Sequence, residues 1–163
     1  MTERAIHIRK AISSEIGGIR ELLTRCDLPA EDLELDKTCL LVALQDQKLI
    51  GTAGIELYPP YALLRSVAVA AQFRGTGIGG RLTRAAIEQA KARNIHKMYL
   101  LTLTAESFFK RFGFCTISRK QVPQSVLQSS QFQHVCPSSA VVMVLDMRPL
   151  PENHVTNPEG GVP

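Results

Sequence analysis

The stretch Gln72-Phe73-Arg74-Gly75-Thr76-Gly77-Ile78-Gly79-Gly80 decides how this chain is read. Ahead of it, Ala62 to Val69 reads as a strand. Behind it, Ile78, Leu82, Ala85, Ala86 and Ala90 share one face of a helix. Lys91 and Arg93 close that helix, where cations complement its dipole. A turn of glycines between strand and helix exposes several backbone N–H groups at a helix N-terminus, and such groups cradle a pyrophosphate.

Working outward, Ala5 to Arg9 reads as a first strand, and Ser13-Ser14-Glu15 offers helix-start chemistry. Ile16, Ile19, Leu22 and Leu23 then keep helical spacing to about Cys26. Leu28-Pro29 breaks that helix, and Glu31 to Asp36 reads as an acidic connector. Cys39 to Leu44 and Leu49 to Leu57 form a hairpin across the turn Gln45-Asp46-Gln47-Lys48. On the C-terminal side, Lys97 to Leu103 is an apolar strand suited to a central position. Ala105 to Phe112 is a short helix stopped by Gly113, Gln121 to Gln133 is polar and weakly patterned, and Ala140 to Met147 is a last strand. Strands outnumber helices and do not alternate with them regularly, so the expected class is α/β of the α+β kind, with a mixed sheet flanked by helices. The expected organisation is one domain over residues 1–147 and a tail over 148–163 carrying Pro149, Pro151, Pro158 and Pro163.

Composition narrows the class. The chain has 163 residues, 45% of them hydrophobic and 21% charged, enough for a core without disulfides or metal. No apolar run is long enough to span a bilayer, and with charges through Met1 to Arg9, where an apolar stretch would sit, a signal peptide is not expected. A cytoplasmic protein with no membrane association is expected. The net charge of +4 is mild, and dense basic runs with interleaved aromatics are missing, so nucleic acid is not an expected partner. Cys26, Cys39, Cys115 and Cys136 are scattered, as are the four histidines, so free thiols and no metal site are expected.

Gly75, Gly77 and Gly80 also fit the dinucleotide fingerprint G-x-G-x-x-G. That reading wants a tight strand-to-glycine turn and an acid ending the next strand. Instead, Ala70 to Arg74 intervene and the next strand ends Leu-Leu-Thr-Leu-Thr. The fit is better elsewhere. Gln72-x-x-Gly75-x-Gly77 matches Q/R-x-x-G-x-G/A, the pyrophosphate loop of the GNAT N-acetyltransferases. Val67-Ala68-Val69 resembles the end of that superfamily's fourth strand, and Phe108-Phe109-Lys110-Arg111-Phe112-Gly113-Phe114 resembles its fourth-helix signature. Leu63 to Val69 and Cys136-Pro137-Ser138-Ser139-Ala140 narrow the likeness. They resemble the amino-acid acetyltransferase branch, including the transferase module of N-acetylglutamate synthase, and more closely the small arsenic-resistance N-acetyltransferases. The resemblance spans roughly Ile6 to Met147.

It implies the GNAT fold, with a mostly antiparallel sheet whose fourth and fifth strands splay around acetyl-CoA. Backbone amides of Val67, Ala68 and Val69 would pair with the pantetheine, and one of them, Val67, would hold the developing oxyanion. Gln72, Arg74, Gly75, Thr76, Gly77, Ile78, Gly79 and Gly80 would form the pyrophosphate seat, with Ser107, Phe109 and Lys110 nearby. A phosphate contact from Arg74, Arg81 or Lys110 competes with a solvated surface role for each. An acceptor's ammonium must lose a proton, and Glu56 is the candidate base, against an exposed carboxylate at a strand end. Burial is expected to raise its pKa. Arg65 interrupts a buried run, so it wants a partner: a substrate carboxylate, Glu56, or both, with substrate displacing or extending the internal pair. Thr102 is a candidate pocket residue, and Ser138 and Ser139 either line the acceptor pocket or cap a turn.

The expected function is acetylation of a small amino acid or analogue, an arsenical one being implied by the nearest likeness, by direct transfer in a ternary complex. A homodimer is compatible with all of this. Phe109 stands where many relatives carry a proton-donating tyrosine. Carboxylate and basic residues expected of a glutamate site near Leu63 and Ala140 are missing. A ping-pong route through Cys115 or Cys136 lacks an activating histidine. The rival readings are a non-catalytic acetyl-CoA sensor and a protein N-acetyltransferase.

Overall fold

The computed structural model describes residues 5–135 and 139–149. Its elements follow as β1 (Ile6–Lys10), α1 (Ile16–Arg25), β2 (Thr38–Gln45), β3 (Lys48–Tyr58), β4 (Tyr61–Val69), α2 (Ile78–Ala92), β5 (Lys97–Thr102), α3 (Glu106–Lys110), β6 (Cys115–Ile117), α4 (Gln124–Leu127) and β7 (Val141–Asp146). One seven-stranded sheet runs β1-β2-β3-β4-β5-β7-β6, antiparallel throughout except for β4 against β5. The mixed, mostly antiparallel expectation therefore holds. The β2–β3 turn is tight because Asp46 and Gln47 both take positive φ, a twist that matches the flanking strands.

Alternation along the strands sorts the core into two faces. Leu41 and Ala43 of β2, Leu64 of β4 and Met98 and Leu100 of β5 pack with Ile78, Leu82, Ala86 and Ala90 of α2. Their neighbours Leu40, Val42 and Leu44 point the other way, onto Ile19, Leu22 and Leu23 of α1 and onto Leu33. Leu63 and Tyr99 share that second face with Val122, Val126 and Phe132. Here the structure corrects the expectation that 121–133 is featureless. It carries α4 and a helical turn at Gln131–Val135, and its few apolar residues are core. β6 is likewise unforeseen, a three-residue edge strand too short to leave a period.

Two departures from regular pairing open a cleft. β4 pairs β5 only through Tyr61, Ala62 and Leu63, opposite Lys97, Met98 and Tyr99. From Leu64 onward the edge of β4 that faces β5 has no ladder partner. On its other edge, β3 opposes Arg65 with Gly54 and Ala68 with Thr52, so Ser66 and Val67 form a bulge. Ser66 adopts φ +60°, which re-aims the strand.

Candidate functional site

The cleft is floored by β4 from Leu64 to Val69, roofed by the residues following β5, and closed by Gly75, Gly77, Ile78, Gly79 and Gly80. Gly75 and Gly77 hold φ of +80° and +89°, a region side chains rarely enter, and Gly77 is the N-cap of α2. A Cβ at either would meet nothing within 4 Å, so the loop's inner face is open to a ligand. Amides at the head of a fifteen-residue helix favour an anion there. The free edge of β4 offers the hydrogen bonds of one further strand. A pyrophosphate with a pantetheine arm fits this combination of nest and unpaired edge.

At the other end of the cleft lies a buried ion cluster. Arg65 is 4% exposed, and its Nη1 and Nη2 donate to the two carboxylate oxygens of Asp32 at 2.6 and 2.7 Å. Nη1 also donates to Glu56 at 2.7 Å, and Nε to Ser66 Oγ at 2.9 Å. Asp32 accepts further from Ser130 Oγ at 2.6 Å and Gln131 Nε2 at 3.3 Å, while Tyr58 donates to the second oxygen of Glu56 at 2.5 Å. Burial works to raise the Asp32 carboxyl. The hydrogen bonds from Arg65 and Ser130 and the charge of Arg65 outweigh it and hold the group at about 2. Burial and the neighbouring Glu56 push the Tyr58 hydroxyl upward, so it stays protonated as the donor.

This geometry revises several expectations. Of the two partners expected for Arg65, the internal one is realised, and with two carboxylates rather than one. Asp32 belongs to the stretch read as a connector. Leu33, fully buried, pins that stretch beneath the sheet, and Arg20 donates to the Leu33 carbonyl at 2.6 Å. Glu56 is buried rather than exposed, but both its oxygens are occupied and it does not line the cleft, which disfavours direct proton abstraction. Thr102 lines the cleft, yet its hydroxyl accepts from the Ala105 amide at 3.0 Å and shapes the entry to α3. Phe109 also lines it, and is otherwise packed against Phe108 and Phe114.

Gln72, Thr76, Ser107, Lys110 and Ser139 are exposed and lie outside the cleft lining. Thr76 turns back to the Phe73 carbonyl, and Lys110 pairs with Glu106 at 3.4 Å. Ser138 lies outside the described residues. Val67, Ala68, Val69 and Arg74 do line the cleft, with Arg74 Nε donating to the Val69 carbonyl at 3.2 Å. No group of His, Cys, Asp and Glu among the described residues is arranged to hold a metal ion.

Such a cleft has the shape to take an extended ligand, anionic at one end, laid along β4 like another strand. Residues 9–114 match the acetyltransferase (GNAT) family, and the chain belongs to that family. It is 26% identical over 140 residues to the amino-acid acetyltransferase of Escherichia coli (strain K12), covering 80% of this chain and 32% of that protein. The chain thus spans about a third of the relative's length. Among solved structures, N-acetylglutamate synthase from Neisseria gonorrhoeae, complexed with coenzyme A and N-acetyl-glutamate, superposes with TM-score 0.76 and 19% identity. That match covers 91% of this chain and 36% of the synthase. Rv2747 from Mycobacterium tuberculosis, in complex with CoA, gives TM-score 0.72 at 20% identity, over 87% of this chain and 99% of that one. At these identities the likeness establishes the fold.

Glu56→Gln tests how the cluster works. The amide keeps an acceptor for Tyr58 or Arg65 but loses the charge. The expected result is a loss of about 1–2 kcal/mol in stability with the shape of any pH–rate profile unchanged. Disappearance of a limb of that profile would restore Glu56 as a base.

Proposed function

We propose that the chain is an acetyl-CoA-dependent N-acetyltransferase acting on the amine of a small amino acid or amino-acid analogue. The observation that carries this reading is the pairing of an unpartnered β4 edge with a glycine nest at the head of α2. Acetyl-CoA supplies the activated acetyl group. The amides of Arg74 to Gly79 hold its pyrophosphate, and Val67 to Val69 hydrogen-bond the pantetheine in the manner of an added strand. The Val67 N–H lies at the bulge and receives the thioester oxygen as negative charge develops on it.

The acceptor pocket lies beyond that point, bounded by the 27–32 loop, Arg65, Ser66, Ser130 and Gln131. Arg65 acts there as a positioning residue, and Glu56 acts through it. Asp32, held at about 2, is too weak a base to take a proton from an ammonium near neutral pH. The acceptor's proton therefore passes to water in the open cleft. A thiolate is a far weaker base and better leaving group than an alkoxide, so phenylalanine at 109 is compatible with turnover. The likeness to arsenic-resistance enzymes makes arsenical and phosphinic amino-acid analogues the first acceptors to offer.

Release of CoA, followed with a thiol reagent across a panel of amino acids and those analogues, tests the reading. Release that depends on one acceptor class supports it. Tight acetyl-CoA binding with no release from any acceptor would leave a sensing module instead.

A further inference from the structure

Beyond the glycine nest the fold sets two arginines without an acid. Arg84 of α2 and Arg111, just past α3, both line the donor cleft. Arg84 Cζ stands 5.1 Å from the centre of the Phe112 ring, and Arg111 Cζ stands 5.4 Å from Phe108 and 5.9 Å from Phe112. Neither pairs with a carboxylate among the described residues. Both also line a neighbouring groove with Glu88 and Asp146, and the nearby acids are engaged elsewhere, Glu88 with Lys91 at 3.7 Å, Glu106 with Lys110 at 3.4 Å and Asp146 with Arg148 at 2.6 Å.

Stacking engages the flat face of a guanidinium and leaves its in-plane N–H donors unspent. The rings fix where those donors stand. Phe108 and Phe112 are 5.1 Å apart and pack on the first turn of α2. A Cβ at Gly79 would lie 3.5 Å from Phe108, and one at Gly80 would lie 3.4 Å from Phe112 and 3.5 Å from Arg84 Nη1. Two exposed cations therefore stand beside the first turn of α2, held against the rings rather than in the glycine loop itself.

We infer that Arg84 and Arg111 receive a phosphate monoester, the 3′-phosphate on the ribose of the donor. This rests on the acetyl-CoA reading given above. Loop amides already meet the pyrophosphate, and the next charge along such a donor is that monoester. Its dianion matches two planar N–H forks better than it matches backbone amides. The chain thereby reads whether the donor's ribose is phosphorylated, a discrimination separate from recognition of the thioester.

Calorimetry with acetyl-CoA and 3′-dephospho-acetyl-CoA tests this on the unaltered protein and on Arg84→Gln, Arg111→Gln and their combination. The expected result is that the unaltered protein prefers acetyl-CoA by roughly ten- to hundredfold, the range that a charge-assisted contact confers. The double variant should lose that preference by weakening acetyl-CoA alone. Equal affinity of the unaltered protein for both donors would overturn the inference, with no variant required. Parallel weakening of both donors in the variants would also overturn it, placing the arginines on the pyrophosphate. If the unaltered protein binds neither donor, the acetyl-CoA reading falls, and this inference with it.

Discussion

Asp32→Ala will destabilise the protein by about 3 kcal/mol in urea unfolding, the low end of the range for stripping one partner from a buried ion pair. The reason is the asymmetry of burial. The Arg65 side chain is 1% exposed, so removing its bidentate partner leaves a guanidinium with little access to water. Glu56 still accepts one hydrogen bond from it, which keeps the loss from reaching the upper end. Ser130 and Gln131 would also lose their common acceptor. A loss below about 1 kcal/mol would mean that Arg65 finds water or another anion, and that the cluster is not the keystone of this end of the cleft.

The same pair gives the acid limb its shape. Asp32 is lowered from an ordinary 3.8 to about 2, so it binds protons less readily folded than unfolded. Its contribution is complete above the unfolded value and is lost as the pH falls through about 2. The stability measured by unfolding between pH 5 and pH 2 should therefore fall more steeply in the unaltered protein than in Asp32→Ala. Asp146 is also held at about 2, by Arg148 two residues along. That pair is on the surface and local in sequence, so it adds little to the folded state over the unfolded one.

Gly77→Val will remove donor binding, with at least a hundredfold loss of acetyl-CoA affinity by calorimetry, while the fold persists. A side chain at 77 meets no protein atom, so nothing in the core objects. The penalty lies in the backbone. A φ of +89° is disfavoured for any residue with a Cβ, by roughly 1–2 kcal/mol, and relaxing it turns the loop amides away from the anion. The branched side chain would also stand in the space that the pyrophosphate needs. Gly17→Ala is the control, since Gly17 lies in α1, takes no positive φ and has open space around it. It should gain about 0.5–1 kcal/mol in stability with donor binding unchanged. Retained affinity in Gly77→Val would withdraw the pyrophosphate from this loop.

The donor half of the site was legible because its determinants are local. Glycines at 75 and 77 announce positive φ, the run after them announces a helix, and together they dictate a nest. The strands themselves were legible as apolar runs, but which of their residues face α2 and which face α1 was not, because both sides are buried. The Arg65 end of the cleft was not legible in the same way. Arg65 asked for a partner and Glu56 was a visible one, but Asp32 sat in a stretch without period. The clue there was Leu33, which with Leu35 is one of two leucines among the acids of 31–36 and which anchors the loop in the core. Val122, Val126 and Phe132 were a similar clue, spaced too sparsely for a pattern yet buried together. Tertiary placement rather than local propensity decided both segments.

The knot at Asp32 ties two stretches that lie about a hundred residues apart in the chain, the 27–32 loop and residues 130–131. Neither stretch carries any part of the sheet, α2 or the glycine nest. Changes of length or composition in them would therefore reshape the Arg65 end of the cleft while leaving the glycine loop and the free β4 edge as they are. The fold thus keeps the glycine loop and the Arg65 end on separate stretches of chain, and Asp32 fastens the two loops of the latter together.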